Sequence, residues 1–173
     1  MAGHDSFLRP TAHRCPAPAY PYHYLPMPLD IGLAGSRPGP PSAAGPIVQF
    51  CDNDKYPDDD TGGYYWFLHP LFSRLAEKTG QYIDLYGDAE FRGDDLELLR
   101  QTLLEARQLV ATHPEQWSVY VGTSSMPNAT PPVPPWKVFK KVERSKFLSL
   151  LDALLAIVDR ASSTGVPVVC VGD

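Results

Sequence analysis

An apolar stripe in residues 94–113 constrains the fold of this chain more than any other feature of its sequence. Asp94 or Asp95 can cap a helix here and favour its positive end, and His113-Pro114 closes it. A helix with one apolar face needs a second element to cover that face, so the chain must build a layered core. The members of the stripe recur at three- and four-residue spacing: Leu96, Leu99, Leu103, Ala106 and Val110.

A second long helix is predicted from about Glu143 to Ser162, with a stripe wide enough to be covered on more than one side. Gly165 can end it, and the run VPVVCV that follows is typical of a strand buried on both faces. Pro70, which is tolerated in a first helical turn, favours a shorter helix of about 70–78 ended by Gly80. Strands are predicted at IVQFC, QYIDLY, WSVYVG and WKVFKKV, the last two joined by a long proline-rich hairpin loop.

These elements predict an α/β or α+β fold, with three main helices packed on a mixed four- to five-stranded sheet. Ten of the 19 prolines fall in residues 1–46, so this segment is predicted to be a disordered tail, and residues 47–173 a single globular domain. The chain has no run of ~18 apolar residues, so no membrane span is expected. Its first residues also lack a signal-peptide pattern, so we expect a cytoplasmic protein.

Negative charge is concentrated in one part of the chain. The net charge is −5, yet residues 51–97 alone carry twelve acidic and four basic side chains. A focused negative field repels nucleic acid and attracts a basic protein, and neighbouring aromatic rings can hold such a partner. The sequence therefore predicts a binding surface for a basic protein partner. Its candidate residues are Asp58, Asp59, Asp60, Tyr64, Tyr65, Trp66, Asp88, Glu90, Asp94 and Asp95.

Signs of catalysis are weaker. The sequence lacks a nucleophile elbow, a phosphate-binding loop and a spaced set of metal-ligating cysteines or histidines, so no cofactor is expected. Cys51 and Cys170 end apolar runs and are predicted to be small buried hydrophobes. The alternative function is a small metal-assisted hydrolase, which would require four carboxylates to converge: Asp52, Asp54, Asp88 and Glu90.

Three stretches carry a resemblance to known sequences: GYYWFLHPLFSRLAEKTGQYIDLYGDAEFRGDDL, QWSVYVGT and FLSLLDALLAIVDRASSTGVPVVCVGD. They resemble a group of small bacterial proteins similar in organisation to the immunity proteins of toxin systems. The resemblance covers roughly residues 47–173. It implies an intracellular, non-enzymatic protein that neutralises a partner, and it carries over no catalytic residues.

Overall fold

The protein is described by a computed structural model. The structure describes residues 28–35, 47–51, 61–126, 128 and 130–172. Within these ranges the chain forms six strands and three helices. In chain order they are β1 (Pro28–Leu33), β2 (Val48–Cys51), α1 (Thr61–Thr79), β3 (Ala89–Phe91), α2 (Gly93–Thr112), β4 (Gln116–Met126), β5 (Val133–Glu143), α3 (Arg144–Thr164) and β6 (Val168–Gly172).

The main sheet has four strands in the order β2-β1-β6-β3. Each of its three pairings is antiparallel, where the sequence had predicted a mixed sheet. Alternate residues of these strands point into the core and are almost fully buried, among them Leu29, Ile31, Phe50, Val168 and Cys170. With three helices covering that face, the predicted α+β class and helix count are confirmed.

Strand β1 corrects the predicted domain boundary. Residues Pro28–Leu33 lie inside the segment predicted to be a disordered tail, yet they pair with both β2 and β6 in the middle of the sheet. Leu29, Ile31 and Leu33 alternate with Asp30 and Gly32, and the three apolar side chains are buried. The folded part therefore begins before Ile47. The short alternating strand was not predicted because the high proline content of residues 1–46 suggested disorder throughout. The other residues of 1–46, apart from Ala34 and Gly35, lie outside the described ranges.

The two long helices follow their sequence patterns closely. The five stripe residues predicted for α2 are the five that it buries. Helix α3 runs from Arg144 to Thr164 and ends at Gly165, whose φ of 70° is the left-handed conformation that favours glycine. The pair packs along its length, and two exposed ion pairs flank the contact: Arg100 with Asp159 and Arg107 with Asp152. No helix among the described residues combines the length and apolar character that crossing a membrane requires.

Helix α1 begins nine residues before the predicted start at Pro70. Its first half contains the aromatic run YYWFL, and Pro70 lies inside the helix on its exposed side. Tyr64, Leu68, Leu71 and Leu75 recur at helical spacing and are all buried. Packing of that stripe against the core outweighs the cost of one proline in the helix.

Strands β4 and β5 form a separate two-stranded antiparallel ribbon, as the hairpin prediction required. Both strands run through residues assigned to the proline-rich loop, so the connection between Met126 and Val133 is shorter than expected. Val119 and Val142, near one end of the ribbon, are buried beneath α1 and α3. The ribbon is therefore anchored at that end and continues well past the core.

Candidate binding surface

The loop from Gln81 to Asp88 carries the most exposed aromatic side chains next to carboxylates. Its sequence QYIDLY was predicted to be a strand with one wetter face, and that prediction of a strand is wrong, since β3 begins only at Ala89. The alternation itself is present: Ile83 and Leu85 are 1% and 4% exposed, whereas Tyr82 and Tyr86 are 44% and 67% exposed. Because the side chains of Ile83 and Leu85 are buried, both tyrosines face solvent.

We call Tyr82, Asp84, Tyr86 and Asp88 the acidic–tyrosine surface. The Tyr86 backbone amide donates a hydrogen bond of 2.7 Å to Oδ1 of Asp84, a local turn that aspartate side chains favour. The hydroxyl of Tyr82 lies 3.2 Å from Nε2 of His69 on α1. Asp88 is exposed. The surface thus presents two phenol rings and two carboxylates on a loop that has one internal hydrogen bond and one contact to α1.

The end of strand β6 supports this loop from below. The backbone amide of Gly172 donates a hydrogen bond of 3.2 Å to the carbonyl of Gly87. An added Cβ at Gly172 would lie only 2.6 Å from the carbonyl carbon of Leu85 and 2.8 Å from the carbonyl oxygen of Asp84. Only glycine allows such close approach of two backbones. The loop therefore lies directly on the sheet.

Tyr65 of α1 lies beneath the same loop and is 3% exposed. Burial raises the pKa of its hydroxyl well above the usual value of a tyrosine, and the negative charge of Asp84 raises it further. A hydrogen bond from the Leu85 backbone acts in the opposite direction and lowers that pKa. The neutral phenol therefore links α1 to the underside of the acidic–tyrosine surface.

Charge around the surface is strongly negative. Residues 81–97 contain six acidic side chains and one basic side chain, Arg92. Arg92 pairs with Glu90, so this glutamate is partly neutralised. Asp94 and Asp95 lie in the first turn of α2, where their charges stabilise the positive end of the helix. Asp88 and Asp94 are exposed, and Asp84 is half-buried on the loop itself.

The structure places the aromatic part of the predicted site in the core or against it. Tyr64 and Tyr65 are 4% and 3% exposed because they lie on the inward stripe of α1 rather than on a loop. The Tyr64 ring stacks on Phe147 with 4.5 Å between centroids. Trp66 is half-buried and packs edge-on against Tyr65. These rings belong to the core, so they are not available to a partner in the way predicted.

The acidic part of the predicted site divides in three ways. Asp58, Asp59 and Asp60 lie outside the described residues. Asp88 and Asp94 are exposed, as a binding role requires, and Glu90 and Asp95 are partly buried. Sequence reasoning missed Tyr82 and Tyr86 as binding candidates, although their alternation with Ile83 and Leu85 was the signal that they face solvent.

The carboxylates and the buried thiol that a catalytic role would involve are only partly described by the structure. They contain no group of three or more His, Cys, Asp or Glu side chains placed to hold a metal ion. Asp52 and Asp54 of the hydrolase hypothesis lie outside the described ranges, and Glu90 is engaged by Arg92. Burial raises the pKa of the Cys170 thiol to about 12, which keeps it protonated and unreactive at neutral pH.

Comparison with known proteins gives this chain no relative: no family model, no curated protein and no solved structure matches it.

Proposed function

We propose that the chain is a non-enzymatic binding protein that docks a basic protein partner through the acidic–tyrosine surface. The observation that carries the proposal is Tyr86, which is 67% exposed between Asp84 and Asp88 on a loop held against the sheet. A large ring held in water on an ordered loop offers contact area with little conformational entropy to lose on binding.

Electrostatics would govern how the complex forms. The net negative charge of residues 81–97 would steer a basic surface toward the loop and speed association. Once the partner has docked, desolvation of Tyr86 and Tyr82 would supply apolar contact, as aromatic residues do at the centre of many interfaces. The proposal therefore assigns the on-rate to the carboxylates and the lifetime of the complex to the tyrosines.

A finer version of the proposal is an immunity-type inhibitor, in which the basic partner is a toxin. It rests on the resemblance of residues 47–173 to small bacterial proteins that are similar in organisation to immunity proteins, and on the acidic character of the surface. Its additional claim is that docking suppresses the partner's toxicity.

Site-specific photo-crosslinking tests the docking proposal. A photoreactive phenylalanine analogue placed at Tyr86 should capture a protein in the native cells, and the same analogue at Leu109, which is exposed on α2, is the matched control. Capture should fall at high salt, because exposed charges are screened within about 8 Å at physiological ionic strength and more closely above it. It should also fall in the variant Asp84→Asn with Asp88→Lys. Asparagine at 84 keeps the oxygen that accepts the Tyr86 amide.

The outcome decides between distinct cases. A basic protein captured at position 86 but not at 109, in a salt-sensitive way, supports the proposal. Equal capture at both positions, or capture that salt and the charge variant leave unchanged, overturns it. Co-expression of the captured protein with the wild type and with the charge variant then tests the finer version. An immunity-type inhibitor should protect the cells only in the wild-type form.

A further inference from the structure

The outer face of the β4–β5 ribbon is a second surface that the proposed function does not explain. Residues opposite one another share a face, and successive pairs alternate between the two faces. Trp117 opposite Val142 therefore lies on the face that meets the core, and Tyr120 opposite Phe139 lies on the other. Tyr120 and Phe139 are 49% and 55% exposed, and their rings meet edge to face at 5.6 Å.

Lysines flank this aromatic pair. The Nζ atom of Lys137 lies 5.9 Å from the centre of the Tyr120 ring, within range of a cation–π interaction. Lys141, opposite Ser118, shares the outer face and is exposed. Residues 117–142 contain three lysines and no acidic side chain, in a chain whose net charge is −5. We call Tyr120, Lys137, Phe139 and Lys141 the lysine–aromatic surface.

Exposed apolar area is concentrated on the same ribbon. Nine large hydrophobic side chains of the described residues are exposed, and the ribbon carries five of them, including Tyr120 and Phe139. Tyr82 and Tyr86 of the acidic–tyrosine surface are two of the remaining four. Clustered exposed apolar side chains rimmed by charge mark interaction surfaces. The molecule therefore carries two aromatic surfaces of opposite charge.

The charges determine which occupant suits the ribbon. Two ribbons packed face to face around a two-fold axis would bring Lys137 and Lys141 of one copy near those of the other, which is unfavourable. An acidic surface with rings of its own would instead neutralise the lysines and cover Tyr120 and Phe139. A surface with those properties is present on this chain, at residues 82–88.

We propose that the lysine–aromatic surface of one copy binds the acidic–tyrosine surface of a second copy. The inference rests on the proposed function, because it identifies the basic surface that docks there as the ribbon of a second copy. The contact joins two different patches, so each bound pair still offers one free surface of each kind. Association therefore continues past a dimer as the protein concentration rises, unless the copies close into a ring.

Sedimentation velocity over a range of protein concentrations tests this contact with three charge variants. The first reverses the ribbon (Lys137→Glu with Lys141→Glu), the second alters the loop (Asp84→Asn with Asp88→Lys), and the third combines all four changes. The matched control is Lys78→Glu with Arg160→Glu, which changes the net charge as the ribbon variant does, at exposed positions on α1 and α3. Circular dichroism confirms that each variant is folded.

Wild type and control should associate, with an association constant that falls at least about tenfold between low and high salt. The ribbon variant and the loop variant should each be monomeric, and so should the combined variant, because its residues 117–142 and its residues 81–97 both carry a net negative charge. Wild-type protein that stays monomeric at every concentration overturns the inference, as does association that the ribbon variant retains. Wild-type protein that stays monomeric and binds single-stranded oligonucleotide through the ribbon also overturns the inference. The proposed function survives those results if position 86 still captures a basic protein other than this chain.

Discussion

Replacing Gly172 with alanine tests how the sheet supports the loop from Gln81 to Asp88. Gly172 is the last residue of β6 and pairs with Leu29 of β1. The new Cβ would lie 2.6 to 2.8 Å from backbone atoms of Asp84 and Leu85, where ordinary contacts are 3.4 to 4 Å. Backbone atoms cannot rotate away as a side chain can, so either the loop or the strand end must move.

Movement of the loop and movement of the strand end would each lower the free energy of unfolding by a similar amount. Moving the loop by roughly 0.7 Å strains packing around Ile83 and Leu85, and such overpacking costs about 1 to 3 kcal/mol. Moving the strand end instead breaks the hydrogen bond from Gly172 to Gly87, worth about 1 kcal/mol. We therefore expect G172A to lower the free energy of unfolding by about 1 to 3 kcal/mol, or Tm by roughly 2 to 12 °C for a chain of this size.

Urea unfolding followed by circular dichroism measures the change, and Gly87→Ala is its matched control in the same loop. An added Cβ at Gly87 meets no atom within 4 Å, and its φ is not positive. The control should be neutral or gain a few tenths of a kcal/mol, because alanine restricts the unfolded chain. Amide NMR shifts should change at 84–87 in G172A. A G172A variant as stable as the G87A control would refute the close contact between β6 and the loop.

Three further predictions concern the core. Phe147 is fully buried among Tyr64, Phe67 and Trp117. Replacing it with alanine should lower the free energy of unfolding in urea by about 3 to 5 kcal/mol, whereas L109A should lower it by less than about 0.5 kcal/mol. Tyr65 has a raised pKa in the folded state, so its stabilisation is complete below its unfolded pKa near 10 and is lost as the pH rises above it. Wild type should therefore lose stability relative to Y65F in unfolding measured above about pH 10, and a constant difference would contradict this. Cys170 should resist alkylation at pH 8 in native protein and react in urea, as peptide mapping by mass spectrometry would show.

Local periodicity made the helices predictable. The stripes of α2 and α3 repeat over four turns or more, so no tertiary contact was needed to recognise them. The hairpin was equally readable from two alternating strands around a proline-rich turn. Strand β6 was placed correctly in the interior of the sheet, but only one of its faces is covered, since Val171 is 45% exposed.

Other parts depended on contacts distant in sequence. Strand β1 is six residues long, and its backbone hydrogen bonds depend on pairing with β6, about 140 residues later. The local sequence of β1 gives no sign of that partner. The start of α1 depended on burial of Tyr64 and Tyr65, because a run of aromatic residues suits strand and helix alike. The same burial places both tyrosines in the core rather than on the surface where the sequence predicted them.

The alternation in QYIDLY is present although the predicted strand is not, and it explains why the candidate binding surface differs from the one predicted. Ile83 and Leu85 point inward although residues 81–86 form no ladder, because burial of apolar side chains acts on any extended segment. Once those two are buried, Tyr82 and Tyr86 must face solvent beside Asp84. The acidic side chains therefore still have exposed aromatic neighbours. These are Tyr82 and Tyr86 of the loop after α1, rather than the predicted rings at the start of α1. A Tyr86→Ser variant should then weaken capture of a basic partner by a photoreactive residue placed at position 82. Trp66→Ser should lower the stability of the fold and leave capture by the folded protein unchanged. The reverse result would place the binding site on α1.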